Sequence, residues 1–363
     1  MKAKTNPYSS LPARAFWRSA VAETGVYGLS NLWSSKWDLP KDARFATYGS
    51  CFAQHISRAL VKRQLGWLNS EPAPRRTPPE LARKYNYGVF SARTGNIYTA
   101  AQFLYLLEMA SGKKDAEAAE IWPEGAGFVD SLRPGIEPGG FASAQEANLS
   151  RQSMLRGFGR SVRDADVMVF TLGLTEGWEN RETGQPYAIC PGTMAGQHDA
   201  DIHVFQNYGF NRVMDDMNCA IALLRALNPA IHILLTVSPV PLTATASGQH
   251  VLTATTYSKS VLRAVAGELA ALDDRIDYFP SYEIITGAAT RAGFFEPNLR
   301  SVAPQGVDFV MGHFFAGLRL NAPAVHGKEA AGSAAPDEAA LEAAMAAEEL
   351  VCEEMTLEAF NEN

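Results

Sequence analysis

The stretch RFATYGSCFAQHISRALVKRQLGW, residues 44–67, decides the fold class. Its short β-like run FATY ends at Gly49 and Ser50, and an amphipathic helix is predicted to begin directly after this turn. Apolar residues then recur at spacings of four, as in a helix that packs on a sheet: Phe52, Ile56 and Leu60. The turn therefore presents either Ser50 or its neighbour Cys51 as a nucleophile, or it is only a tight connection from strand to helix.

The same alternation of strand and helix continues downstream. Near-continuous apolar runs at 166–174, 231–240 and 276–286 predict buried strands, and one-sided apolar patterns predict helices at 100–112, 211–229 and 255–272. Strands that alternate with helices of this length indicate βαβ crossovers. We therefore expect an α/β fold with a mostly parallel sheet and helices on both faces.

Three turns that carry polar residues follow predicted strands. They are Gly49-Ser50, the segment from Gly173 to Glu176, and Ser238-Pro239. In open parallel sheets the chemistry lies at the carboxyl ends of the strands. We therefore expect these turns to share one edge of the sheet.

Changes in composition divide the chain into one domain and a tail. Residues 1–321 are predicted to form the domain, with a polar, Pro- and Gly-containing insertion at 113–150. Residues 322–363 are rich in Ala and Glu and offer only a thin apolar stripe. We expect this tail to be helical or disordered, and loosely attached if ordered.

Composition excludes several classes of function. The chain has 363 residues and a formal net charge of −7, and its Lys and Arg residues are scattered, so no nucleic-acid partner is expected. Neither a signal peptide nor a membrane span is apparent, which predicts a cytoplasmic protein. The four cysteines form no CxxC pair, so reduced thiols are expected. The sequence assigns no oligomeric state.

Several blocks carry a resemblance to a known family. GSCFA at 49–53 resembles the signature of the GSCFA family, which is similar to the SGNH (GDSL-like) hydrolases. Further blocks follow in the expected order: YNYGVFSARTGNIYTA, TLGLTEGW, TVSPVP, YSKSVL and YFPSYEI. The resemblance implies a flavodoxin-like doubly wound parallel sheet of SGNH type. It also implies a serine-dependent esterase or O-acyltransferase, with a small-molecule or carbohydrate ester, such as a carbohydrate O-acetyl group, as substrate.

The resemblance aligns Ser50 with the nucleophilic serine of GDSL. A hydroxyl at a strand-to-helix turn also lies near the positive end of the helix dipole and near free backbone N–H groups, which suits acyl transfer. The alternative role for Ser50 is a simple helix cap. Cys51 is an alternative nucleophile because a helix N-terminus favours a thiolate, and otherwise it is a small buried thiol.

The same resemblance implies an oxyanion hole and a substrate site. Gly88 in YNYGVF is the candidate backbone donor, with Asn86 as a supporting residue, and the Ser50 amide is a further donor. In GLTE, Gly173 is retained from the superfamily's GxND block, and Thr175 stands where that block has Asn. Glu176 is expected to orient a base or a substrate hydroxyl.

The catalytic base is the open point of the sequence. A serine nucleophile needs a histidine that is oriented by a carboxylate. Asn298 and Ser301 stand where the family pattern places the Asp and His of DxxH. Two histidines are therefore candidates for the base: His250, in a loop after a predicted strand, and His313, on a predicted helix. The second is also interpretable as a core histidine.

No cofactor or metal is expected. The segment QHDADIH offers His198, Asp199, Asp201 and His203, but no predicted strand or helix fixes their geometry and the resemblance implies no metal. No GxGxxG or GxxxxGKS motif indicates a nucleotide. The replaced DxxH residues also leave a second function open, that of a carbohydrate-binding or scaffolding protein that has lost catalysis.

Overall fold

The computed structural model describes residues 6–320 and 353–361. Five strands form a sheet in the order β10-β9-β5-β1-β2, and every pairing in it is parallel. This is the flavodoxin-like order, so the predicted fold class is confirmed. The strands of this sheet are β1 (Arg44–Gly49), β2 (Gly66–Trp67), β5 (Val167–Leu172), β9 (His232–Val237) and β10 (Ile276–Phe279).

Helices cover both faces of the sheet because alternate strand residues point to opposite sides. The helices are α1 (Ala53–Lys62), α2 (Pro79–Lys84), α3 (Ala100–Ala110), α4 (Ala144–Asp164), α5 (Phe210–Leu227), α6 (Val251–Leu272), α7 (Ser281–Thr286) and α8 (Pro304–Gly317). Met168 and Phe170 of β5 belong to one apolar cluster with residues of α3, α4, α5 and α6, whereas Val167 and Val169 belong to a second cluster with residues of α1, α7 and α8.

One predicted strand is too long. The run 276–286 forms a strand only to Phe279, and residues Ser281–Thr286 form α7. Pro280 lies at the change and has no N–H for a strand ladder. The buried side chains of Ile284 and Ile285 then pack from the helix onto the same core cluster as Phe279.

Two small antiparallel units stand outside the main sheet. One is the hairpin of β3 (Ile121–Glu124) and β4 (Gly127–Asp130), which occupies part of the predicted insertion at 113–150. The other is a three-stranded sheet of β6 (Glu176–Asn180), β7 (Pro186–Tyr187) and β8 (His203–Asn207), which the sequence did not predict because its strands are short and polar.

A buried ion network ties the hairpin to α4. Asp130 accepts hydrogen bonds from Arg133 Nε at 2.8 Å and from Arg151 Nη2 at 2.6 Å, and all three side chains are fully buried. Burial alone raises the pKa of Asp130, but the two guanidinium groups hold that pKa below its ordinary value. The carboxylate is therefore the counter-ion of two arginines inside the protein.

Most of the predicted tail lies outside the described residues. Its described part, Glu353–Phe360, is a 3-10 helix. Glu353 is buried, so at this position the tail is attached to the domain more closely than its composition predicts. Among the described residues, no helix combines the length and the apolar character needed to cross a membrane.

Candidate functional site

The carboxyl ends of three neighbouring strands meet at a small cavity. Ser50, Gly173 and Ser238 follow β1, β5 and β9, and the register pairs Gly49 with Thr171. The expected grouping of these turns at one edge of the sheet is therefore observed. The cavity measures about 10 Å³ and is lined by Ser50, Cys51, Tyr98, Gly173, Leu174, Ser238, Val240 and Lys259.

Gly49 makes the tight turn that presents Ser50. Its φ of +132° is open to glycine, and a Cβ atom there would lie 2.3 Å from the carbonyl oxygen of Thr171. The Ser50 amide donates to that same Thr171 oxygen at 3.2 Å, so this N–H, one of the expected oxyanion donors, already has an acceptor.

The Ser50 hydroxyl does not cap α1. The residue at the cap position is Phe52, and no side chain caps this helix. Ser50 is buried, and its Oγ has no hydrogen-bond partner within residues 6–320 and 353–361. A buried hydroxyl normally finds a partner, so this one needs an explanation other than helix capping.

Cys51 also lines the cavity, but it is built into the core. It is buried and belongs to the apolar cluster beneath one face of the sheet, together with Ile56 and Phe279. These surroundings agree with the interpretation of Cys51 as a small buried thiol.

The GLTE segment divides between the cavity and its surroundings. Gly173 packs directly on Ser50, since a Cβ atom at Gly173 would lie 2.9 Å from the Ser50 Cβ. Thr175 is fully buried, and its hydroxyl donates to Asn207 Oδ1 at 2.8 Å, so it does not line the cavity. Glu176 accepts a hydrogen bond from Thr245 at 2.7 Å, and burial raises the pKa of its carboxyl.

The YNYGVF block lies elsewhere. Gly88 has a φ of +73° and is exposed, and Asn86 donates to the Gly135 carbonyl oxygen at 3.2 Å beside a separate cavity of about 370 Å³. The structure does not bring either residue to the cavity at Ser50. The segment beside Ser50 comes instead from residues 91–98, where Ile97 N donates to Gly49 O at 2.9 Å.

Neither candidate histidine lines the cavity. His250 is exposed and caps α6, with its Nδ1 accepting from Leu252 N at 3.2 Å. His313 is half-buried on α8 with its ring against Phe309, and burial lowers its pKa. These positions agree with a cap and a core histidine respectively.

The replaced DxxH residues form a turn. Asn298 Oδ1 accepts from the backbone N–H groups of Arg300 and Ser301, and its Nδ2 donates to the Ser301 hydroxyl at 3.1 Å. In the part of the chain that the structure describes, these residues satisfy one another and do not line the cavity.

The QHDADIH segment holds its polar groups by local bonds. Asp199 N donates to His203 Nδ1 at 2.9 Å, and the rings of His198 and His203 are 5.7 Å apart. The described ranges contain no group of three or more His, Cys, Asp and Glu side chains placed to hold a metal ion.

Lys259, which was not among the residues expected at the site, lines the cavity from α6. Its side chain is 1% exposed, and its Nζ donates to the Gly173 carbonyl oxygen at 2.7 Å. A signal was present, because Lys259 lies three and seven residues before Leu262 and Ala266 on the buried face of the helix. A charged residue on an apolar face is the informative exception to helix patterning.

Three further residues that were not expected at the site form a polar cluster beside the cavity. Asn96 Nδ2 and the Tyr98 hydroxyl both donate to Glu353 Oε2, at 2.5 and 2.8 Å. Burial raises the pKa of Glu353, although hydrogen bonds from Asn96 and Tyr98 act in the opposite direction. The tail therefore places a carboxyl group against a residue that also lines the cavity.

A larger cavity of about 240 Å³ adjoins this site and shares Tyr98 and Leu174 with it. Its wall combines aromatic faces with hydroxyl, amide and carboxyl groups. The aromatic residues are Tyr98, Trp178, Tyr187 and Phe205, and the polar ones are Thr99, Gln102, Glu176, Thr193 and Thr245. Leu357 of the tail lines it as well.

The profile described as "GSCFA family" matches residues 44–314. No curated protein matches the chain. Among solved structures, a carbohydrate esterase family 3 protein from Talaromyces cellulolyticus is 9% identical with a TM-score of 0.33, covering 75% of this chain and 94% of that one.

Two further solved structures are similarly distant. An acetyl esterase mutant with acetate ion is 9% identical with a TM-score of 0.32, covering 75% of this chain and 93% of its own. The periplasmic domain of a lipopolysaccharide acetyltransferase from Salmonella ser. Paratyphi A is 12% identical with a TM-score of 0.31, covering 85% and 97%.

Proposed function

The chain belongs to the GSCFA family, and from that premise we propose that it is a serine-dependent esterase or O-acyltransferase with Ser50 as its nucleophile. The observation that carries the proposal is the Ser50 hydroxyl itself. It is buried at a strand-to-helix turn, lacks a hydrogen-bond partner among the described residues, and lines a cavity at the carboxyl edge of the sheet. A side chain kept only for structure would cap the helix or bond to a neighbour.

The location of Ser50 supports nucleophilic attack. It precedes α1, whose N-terminus carries partial positive charge. The first three N–H groups of α1 donate to the carbonyl oxygens of Ser50, Cys51 and Phe52, so the helix dipole is what stabilises an oxyanion that forms when Ser50 attacks an ester carbonyl. In this proposal the acyl group is transferred to Ser50 and then to water or to an acceptor hydroxyl.

The adjoining cavity supports a carbohydrate ester as substrate. A sugar ring has C–H faces that pack on aromatic rings and hydroxyls that need hydrogen-bond partners. The cavity offers Trp178 and Phe205 for the first, and Glu176 and Thr245 for the second. We propose a small O-acyl group, such as acetyl, as the transferred group, because a small group requires the least enlargement of the cavity at Ser50.

A fluorophosphonate probe tests the nucleophile. We expect the purified protein to be labelled, with mass spectrometry assigning the adduct to the peptide that contains Ser50. Ser50→Ala abolishes labelling and turnover of p-nitrophenyl acetate. Ser238→Ala, which removes another hydroxyl from the same cavity, leaves labelling in place. The proposal is contradicted if Ser50→Ala is still labelled. It is also contradicted if the folded wild-type protein is not labelled at any pH from mildly acidic to alkaline.

The second candidate is a carbohydrate-binding protein without catalysis. The bond between Asn298 and Ser301 favours it, since the residues at the DxxH positions satisfy each other in a turn. This candidate predicts that sugars bind the folded protein, with Trp178 fluorescence as one readout, while no serine is labelled at any pH.

A further inference from the structure

Lys259 is buried almost completely, which is unusual for a lysine. It projects from α6 with 1% of its surface exposed, and its described hydrogen bond runs from Nζ to the Gly173 carbonyl oxygen at 2.7 Å. Burying a lysine costs free energy, even where hydrogen bonds offset part of that cost. If the position served only to fill the core, Leu or Met would fill it without this cost.

The lysine and the serine belong to one site. Ser50 and Lys259 line the same cavity, whose volume of about 10 Å³ has room for about one water molecule. Gly173 connects the two, because its carbonyl oxygen accepts from Lys259 and its α-carbon packs against the Ser50 side chain. Gly173 thus holds the amine and the hydroxyl at the same cavity, and in the described conformation the two do not hydrogen-bond to each other.

We propose that Lys259 is the catalytic base of Ser50, in place of a histidine. The proposal rests on the proposed function and goes beyond it by assigning the proton acceptor. Serine–lysine pairs are a known variant of the serine–histidine arrangement. The candidate histidines do not line the cavity, since His250 caps α6 from outside and His313 packs on α8.

The chemistry balances with the neutral amine. Lys259 Nζ accepts the Ser50 hydroxyl proton as Oγ bonds to the ester carbonyl carbon, which forms a tetrahedral oxyanion. The oxyanion collapses, the bond from carbon to the alcohol oxygen breaks, and the Lys259 ammonium returns the proton to the leaving alkoxide. Water or an acceptor hydroxyl then attacks the acyl carbon and gives its proton to Lys259. Collapse releases Ser50, which recovers that proton.

Burial favours the form of lysine that this step needs. Transfer out of water disfavours an ammonium group, and this is the way in which buried lysines act as catalytic bases. A neutral amine has two N–H groups and one lone pair. In Lys259 the bond to Gly173 O uses an N–H, so it does not compete with the lone pair that accepts the serine proton.

Lys259→Gln is the main test. The Gln amide still donates a hydrogen bond toward Gly173 but cannot accept a proton at neutral pH. We expect the rate of fluorophosphonate labelling to fall by at least about 100-fold, the usual contribution of a general base, while the circular dichroism spectrum and Tm remain near those of the wild type. The labelling rate of Lys259→Arg is expected to fall by a similar factor, since guanidinium does not deprotonate in proteins. Lys259→Met serves if the Gln variant does not fold.

The controls separate this inference from the proposed function. His250→Gln and His313→Gln are expected to be labelled at the wild-type rate. If Ser50→Ala abolishes labelling but the folded Lys259 variants are labelled normally, the base assignment is wrong and the esterase proposal stands. If the wild type is never labelled, the esterase proposal itself fails.

The pH profile distinguishes a base from a structural lysine. In the wild type, labelling is expected to rise with pH and then level as the base loses its proton. The slow residual labelling of Lys259→Gln is expected to lose that plateau and to keep rising with hydroxide concentration. A purely structural role for Lys259 leaves the shape of the profile unchanged, and this outcome overturns the inference.

Discussion

Gly173 is the residue on which Ser50 rests: a Cβ atom added there would lie 2.9 Å from the Ser50 Cβ and 2.9 Å from the Tyr98 carbonyl oxygen. Real Cβ atoms do not approach other atoms this closely, so one of the three residues must move. The position of the candidate nucleophile is therefore set by the absence of a side chain on the neighbouring strand end.

Gly173→Ala is expected to abolish ester turnover by displacing Ser50, while it destabilises the protein by only about 1–3 kcal/mol. Labelling rate and urea denaturation measure the two effects. Gly312→Ala on α8 is the matched control, because a Cβ atom there would meet nothing within 4 Å and the residue lines neither cavity, so the variant should keep wild-type turnover. Normal turnover in Gly173→Ala contradicts the tight packing described here.

Trp178→Ala tests the adjoining cavity. Trp178 lines that cavity and packs edge-on against Phe205, with ring centroids 5.7 Å apart. Removing the ring is expected to raise KM for an acetylated sugar about 10-fold or more, since an aromatic contact is worth roughly 1 kcal/mol beyond its buried area. Turnover of p-nitrophenyl acetate, which has no sugar, is the control and should change little. Equal losses on both substrates contradict a role in sugar binding.

Glu353→Gln tests the pH dependence of tail attachment. Burial raises the pKa of Glu353 above its ordinary value of 4.5, so the folded state binds the carboxyl proton more tightly than the unfolded chain does. This group therefore destabilises the wild type increasingly as pH rises from 4.5 through the raised pKa. Glutamine imitates the protonated form and is not subject to that loss.

The measurement is the Tm of both proteins between pH 5 and pH 8. We expect the Tm of Glu353→Gln to exceed that of the wild type by a margin that grows with pH. Glu358→Gln, a change at an exposed tail residue, should show no such trend. A wild type that is the more stable protein at neutral pH contradicts the direction of the Glu353 shift.

Asp130→Asn tests the buried network. Arg133 and Arg151 hold the pKa of Asp130 low, so its carboxylate contributes stability that is complete above the ordinary value of 3.8 and is lost as pH falls below it. Removing the charge leaves two buried arginines without their shared counter-ion. The free energy of unfolding should fall by about 3–5 kcal/mol at neutral pH, measured by urea denaturation.

Asp166→Asn is the matched control for this prediction. Asp166 pairs with Arg44 at 3.4 Å, and the two side chains are 39% and 50% exposed. Its loss should cost about 1 kcal/mol or less. If the two variants lose similar free energies of unfolding, the prediction that the buried Asp130 network stabilises the protein is wrong.

The sequence predicts the sheet well because local apolar patterns identify its strands and the helices between them. The apolar runs around Phe45, Val169 and Leu234 identify buried strands, and the helices between them require parallel pairing. Parallel pairing in turn brings Ser50, Gly173 and Ser238 to one edge. This part of the site follows from periodicity alone.

The remaining parts of the site lie on loops and on the tail, and local sequence patterns do not predict the course of these segments. The chain between β2 and α3 passes Ser50 with residues 91–98, and not with Gly88, because backbone bonds such as Ile97 N to Gly49 O fix its course. Glu353 reaches Tyr98 across a separation of 255 residues, which no local pattern predicts. Lys259 alone left a signal, as a charge on an apolar helix face.

The burial of Ser50 has a kinetic consequence. With 3% of its surface exposed and a cavity of about 10 Å³ beside it, Ser50 admits about one water-sized group in the described conformation. Any reagent larger than water must wait for a more open conformation. The labelling rate should then rise with probe concentration only to a ceiling, and probes of different intrinsic reactivity should share that ceiling. Its value is the frequency with which the protein opens.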